Sequence, residues 1–168
     1  MATANFNTIK IKKYEDIIIE KAANAAITPG MLIELMSTDK VRAHATAGGN
    51  VIPIMFALED ELQGKDIDEA YAAADKVQCW IPRAGDVVLA LLADGQNVSI
   101  GDALQSDGAG YLTKYVLESW ESADAQAANK IYDKVIVGIA LEAQDLSALD
   151  GSNSSLTANS KYIKIMVV

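Results

Sequence analysis

The chain has 168 residues, 51% of them apolar and 22% charged, and a formal net charge of −9. This length suits one domain that buries about two thirds of its unfolded surface, and the composition is globular, which excludes general disorder. Excess acid repels phosphate, and no apolar run approaches the ~20 residues of a membrane-spanning helix, so neither nucleic acid nor membrane is expected as a partner.

Residues 1–26 are expected to form an N-terminal arm carrying the first strand or strands. The start, MATANFNTIKIKKYED, has no apolar stretch after its charges of the kind a secretory signal carries, which predicts a protein made and kept in the cytoplasm. Ile9 to Lys12 alternates as an edge strand does, and the β-branched Ile17-Ile18-Ile19 favours a strand over a helix. Lys10, Lys12, Lys13 and Lys21 make this segment slightly basic. Ala22 to Ala26 allows a helical turn that Pro29 would end, and strands are expected at Met31 to Met36 and Val41 to Thr46 before the loop Ala47 to Asn50.

One helix is predicted, over Ile67 to Asp75. Asp66 is placed to cap its first turn, Glu69 follows three residues later, and Ile67, Ala70, Tyr71 and Ala74 fall on one face. It reads as a flap on the sheet near 66–76. Further on, Val77 to Ile81 is strand-like, and Val87 to Leu92 and Val98 to Leu104 are expected to form a hairpin around Asp94-Gly95. Gly30, Gly85 and Gly101 each precede an apolar run, where glycine gives the chain backbone angles closed to other residues. A second hairpin is predicted over Gly101 to Tyr115. Glu118 to Lys130 reads as a polar loop or marginal helix, and Ile131 to Glu142 as a strand in which Gly138 marks a bulge or a close backbone approach. A polar loop, Leu146 to Ser160, leads into Lys161 to Val168, an alternating strand that must be buried or paired.

Chemistry is sparse. His44 is the sole histidine and no nucleophile motif accompanies it, so a surface or subunit-interface role is expected. Cys79 is the sole cysteine, which rules out an internal disulfide and any multi-cysteine zinc site, and it reads as a small core or interface residue. Glu59-Asp60-Glu61 lacks the spacing of a calcium loop and reads as a solvated face, and the glycine pairs lack the Lys-Ser/Thr of a phosphate loop. The expectation is no catalytic, metal or cofactor-binding residues. Trp80 and Trp120 are read as core or interface anchors, with sugar stacking as the alternative.

The blocks ITPGMLIEL, IPIMFALEDELQGKDIDEAYAAADKVQCWIPRAGDVVLALL, GDALQSDGAGYLTKY and VIVGIALEA together resemble the head decoration, or capsid cement, proteins of tailed bacteriophages. The similarity runs from about Ile27 to Leu146 and includes the last strand. It implies a structural, non-enzymatic virion protein, a homotrimer on the outer face of the capsid, clamping subunits of the major capsid protein lattice. With the residues themselves it leads to a mainly β fold, an antiparallel barrel-like or sandwich-like domain over 27–168, with one short helix and an extended N-terminal arm. Lys10, Lys12, Lys13 and Tyr14 are the expected capsid contacts, and Trp80, Tyr162, Ile163 and Ile165 the expected oligomer interface. The arm is expected to carry capsid affinity more than fold stability. A carbohydrate- or cell-surface-binding β module is the alternative function.

Overall fold

The most regular alternation in the sequence, Tyr162 to Val167, becomes a central strand of a six-stranded sheet in the computed structural model, which describes residues 8–116, 134–149 and 161–168. In chain order the strands are β1 (Lys10–Lys12), β2 (Ile18–Ala23), β3 (Ile33–Leu35), β4 (Lys40–Ala43), β5 (Phe56–Ala57), β6 (Lys76–Trp80), β7 (Val87–Leu91), β8 (Asn97–Val98), β9 (Ala103–Ser106), β10 (Leu112–Lys114), β11 (Gly138–Ala140), β12 (Gln144–Asp145) and β13 (Tyr162–Val167). The larger sheet has the order β1-β7-β13-β11-β9-β10, and every pairing in it is antiparallel. A five-stranded sheet has the order β3-β4-β2-β6-β5, and β8 pairs with β12 in a small ribbon. The mainly β expectation holds. Among the named strands one pairing departs from the antiparallel rule, since β2 runs parallel to β4 with Ala22 opposite Lys40, and the isolated bridge of Leu92 to Leu112 is parallel too.

Among the described residues no closed barrel forms. The edges β3 and β5 approach each other through a single isolated bridge, Leu32 to Phe56, beside the bonds Gly30 N–H to Ala57 O and Ala57 N–H to Met31 O at 2.8 and 3.0 Å. The sheet curls, but its ladder is not continuous around the ring.

Burial follows the strand pattern. In β13 Ile163, Ile165 and Val167 share one buried face, while on the other face Lys164 is half-buried and Met166 is 37% exposed. β7 has strands on both sides, β1 and β13, and Val88 to Leu91 are all buried, as a sheet-centre strand requires. The two larger sheets share one core, and Tyr162 ties them together: its hydroxyl lies 3.0 Å from Pro29 O and 2.5 Å from Ile67 O. Gly30 is the crossing point. Its φ is 84°, and a Cβ there would sit 2.7 Å from the Tyr162 ring. Gly138 is the close approach that its sequence context predicts, since a Cβ at that position would lie 2.7 Å from Met166 O in the neighbouring strand.

Three local expectations fail for identifiable reasons. No α-helix forms at 66–76. Tyr71 N–H donates to Ile27 O at 2.8 Å and Tyr71 O accepts from Ile27 N–H, so these groups are lost to an i to i−4 ladder, and the Tyr71 hydroxyl donates to Leu58 O at 2.8 Å. Among the described residues the only helical element is the 3₁₀ turn Glu61–Gln63, closed by Gly64 in the left-handed region. The Val87 to Leu104 hairpin also fails, because β7 pairs with β1 and β13, and after the Asp94-Gly95 turn the chain leaves the sheet to form β8. Ile100 is consequently 70% exposed. The hairpin of β9 and β10 does form, around Asp107 to Gly110. Thirdly, the segment from Ile9 onward is no pendant arm, since β1 belongs to the larger sheet and β2 pairs with both β4 and β6 in the five-stranded one.

Candidate functional site

The segment from Ile9 to Asp16 holds all four expected capsid-contact residues, and the fold fixes it at both ends. Ile9 is wholly buried, and its N–H donates to Glu59 Oε2 at 3.0 Å. Tyr14 N–H donates to Asp86 Oδ1 at 2.8 Å, while Asp86 Oδ2 accepts from Arg83 N–H at 2.8 Å. Asp86 has no exposed surface, and Glu59 is also buried. Two buried carboxylates therefore act as backbone clips, replacing the ladder bonds that an irregular edge strand lacks. For Glu59 and Asp60 this overturns the reading as a solvated face; Glu61 alone of the three is exposed.

Between the clips the polar groups point outward. Tyr14 is 70% exposed, and Lys12 and Lys13 are exposed beside it. Lys13 and Lys10 both reach Asp16, the latter at 3.2 Å, and these bonds, Lys13's foremost, hold the Asp16 carboxyl below its ordinary value. Arg83 pairs with Glu15 alongside. Lys10 and Lys13 also line an open cleft of about 290 Å³, with Thr8, Leu58, Glu59, Glu61, Leu62 and Gln78 forming the rest of its wall. Leu62 stands 90% exposed at its rim. Cation, carboxylate, amide and aliphatic groups stand side by side here, and Asp16 already engages two of the three lysines.

The expected oligomer-interface residues lie elsewhere. Trp80, Ile163 and Ile165 have no exposed surface and Tyr162 is 5% exposed, so all four are spent on the chain's own core. The apolar last strand is indeed buried and paired, but within the chain, between β7 and β11. Trp120 and the Glu118 to Lys130 stretch fall outside the described residues.

His44 is not at a surface. It is 1% exposed, with Nε2 3.0 Å from Asn50 O and Nδ1 2.7 Å from Ser106 Oγ. A carbonyl only accepts, so Nε2 carries a proton and, in the neutral ring, Nδ1 accepts from the Ser106 hydroxyl. Ser106 Oγ in turn accepts from Gly108 N–H at 3.1 Å. Glu34 Oε2 lies 3.6 Å from Nε2. A serine, a histidine and a carboxylate thus meet, which sequence spacing did not show because 62 positions separate His44 from Ser106. The serine is fully buried and bonded on both sides, so the group locks the loop after β4 to the end of β9 and presents no nucleophile to a substrate.

Cys79 is buried in β6, and burial pushes its thiol up to about 11, which makes it unreactive at neutral pH. Among the described residues no group of three or more histidines, cysteines and carboxylates could hold a metal ion. No family model matches this chain, and no curated protein matches it.

Proposed function

We propose that the protein is a structural head decoration protein, binding the outer surface of a mature phage capsid and strengthening contacts between major capsid subunits. The observation that carries the reading is the clipped segment from Ile9 to Asp16, which displays Lys12, Lys13 and Tyr14 on a rigid backbone. A backbone fixed before contact loses little further entropy when its side chains meet a protein surface. The sequence resemblance supports the same reading, and the net charge of −9 fits an outer face better than a DNA-filled lumen. In this reading the two larger sheets pack as a sandwich that supplies the bulk, and the protein acts without chemistry of its own. Binding only to the assembled lattice makes disassembly lose every contact, so many weak sites together stabilise the shell. The carbohydrate-binding alternative loses one of its two tryptophans, because Trp80 has no surface on which a sugar could stack.

Sedimentation with purified capsids tests this directly. Lys12→Glu combined with Tyr14→Ala changes two exposed side chains and is expected to weaken binding about tenfold or more with no change in melting temperature. Unchanged binding would remove the segment from the interface. The decoration reading also includes a homotrimer. With Trp80, Tyr162, Ile163 and Ile165 internal, the exposed apolar residues Leu35, Ile52, Ile100 and Val116 are the candidates for its contacts among the described residues. Light scattering is expected to give three times the chain mass at micromolar concentration, and a chain that stays monomeric at high concentration would contradict it.

A further inference from the structure

The least ordinary contact in the molecule joins Lys161, immediately before β13, to Asp94, in the turn after β7. Lys161 Nζ lies 2.6 Å from Asp94 Oδ1, and both side chains have no exposed surface at all. The approach is oblique: among the described residues Lys161 Nζ makes no hydrogen bond of ordinary direction, despite that distance. The backbones on both sides are fixed. Leu92 N–H donates to Lys161 O at 2.8 Å, Tyr162 pairs with Leu91, and Gly95 N–H donates to Leu146 O at 3.0 Å. Two central strands of the larger sheet therefore hold an amine against a carboxyl group in a site closed to water.

We propose that Lys161 and Asp94 condense to an intramolecular isopeptide bond once the domain has folded. In the proposed reaction one proton passes from Nζ to the carboxylate, giving the neutral amine and the neutral acid. The Nζ lone pair then adds to Cγ. A second proton passes from nitrogen to the hydroxyl, the Cγ–O bond breaks, and one water leaves. Nothing is oxidised or reduced, and no co-reactant is needed. Confinement supplies the rate, since a well-oriented intramolecular pair reacts as if its partner were present at an effective concentration of about 10⁵ M or more. Exclusion of bulk water from the closed site opposes hydrolysis. The bond would weld the end of β7 to the start of β13 and constrain the unfolded chain as a disulfide does, without a second cysteine.

The experiment is intact-mass spectrometry of the full chain, purified folded and then denatured, followed by peptide mapping. The expected mass is one water below that of the sequence, with a branched peptide joining Asp94 to Lys161. Asp94-Gly95 can also lose water by closing a succinimide on its own backbone, so two controls separate the products. Lys161→Arg keeps the charge but is expected to restore the full mass, and hydroxylamine, which opens succinimides, is expected to leave the branched peptide intact. A wild-type chain at full sequence mass after days in the folded state would overturn the proposal. So would a water loss that persists in Lys161→Arg or is reversed by hydroxylamine. None of these readouts depends on capsid binding.

Discussion

Deleting residues 1–13 is expected to destabilise the domain by about 3–6 kcal/mol, although the polar composition of this stretch predicts an arm that could be removed freely. The deletion takes out Ile9, which is wholly buried in the common core, and leaves Glu59 buried without the N–H it accepts. It also strips β1 from β7, so the new sheet edge is a run of Val and Leu. Asp86→Ala is the more local test. It leaves Tyr14 N–H and Arg83 N–H without their acceptor and is expected to cost about 2–4 kcal/mol, while freeing the displayed segment and so weakening capsid binding too. Guanidinium unfolding midpoints decide both. A truncated chain as stable as the full one would mean that β1 and the Ile9–Glu59 clip contribute nothing.

Trp80→Ala is expected to cost a further class of energy, about 3–5 kcal/mol, because it empties the largest fully buried side chain in the core. Trp80→Phe separates packing from polarity. Among the described residues the indole Nε1 has no hydrogen-bond partner, so phenylalanine discards an unsatisfied donor while keeping most of the ring volume. It is expected to cost less than about 1.5 kcal/mol and to leave the mass in light scattering unchanged. A changed oligomeric mass with unchanged stability would return Trp80 to an interface role.

The strands were legible wherever one face is buried and the period of two is kept, as in β13, where Ile163, Ile165 and Val167 share the buried face. Gly30, Gly85 and Gly101 were legible too, since all three take positive φ at the entry to an apolar run. What misled was local chemistry overruled from a distance. Asp66 and Glu69 make a sound helix start, but Tyr71 finds Ile27 across the chain, and long-range pairing outweighs a short helix with a narrow apolar stripe. Asp94-Gly95 is a good turn, yet a turn does not choose the partner of its strand, and β7 takes β13 from the far end of the sequence. The expected capsid-contact residues all lie on one short segment, because they are consecutive or nearly so in the chain. Their clips were hidden: Glu59 lies 50 positions from Ile9 and Asp86 lies 72 from Tyr14, and nothing in an acidic run marks which carboxylate will turn inward. The four interface candidates failed for a related reason, since apolar character predicts burial without saying whether the cover is the same chain or another.

The decoration reading rests most directly on what the protein does to a filled shell. Particles with and without saturating protein are heated while DNA release is followed by dye fluorescence. Simultaneous loss of many contacts on disassembly predicts release at a higher temperature in decorated particles, rising with occupancy and diminished for Lys12→Glu with Tyr14→Ala. Equal release temperatures at full occupancy would contradict it.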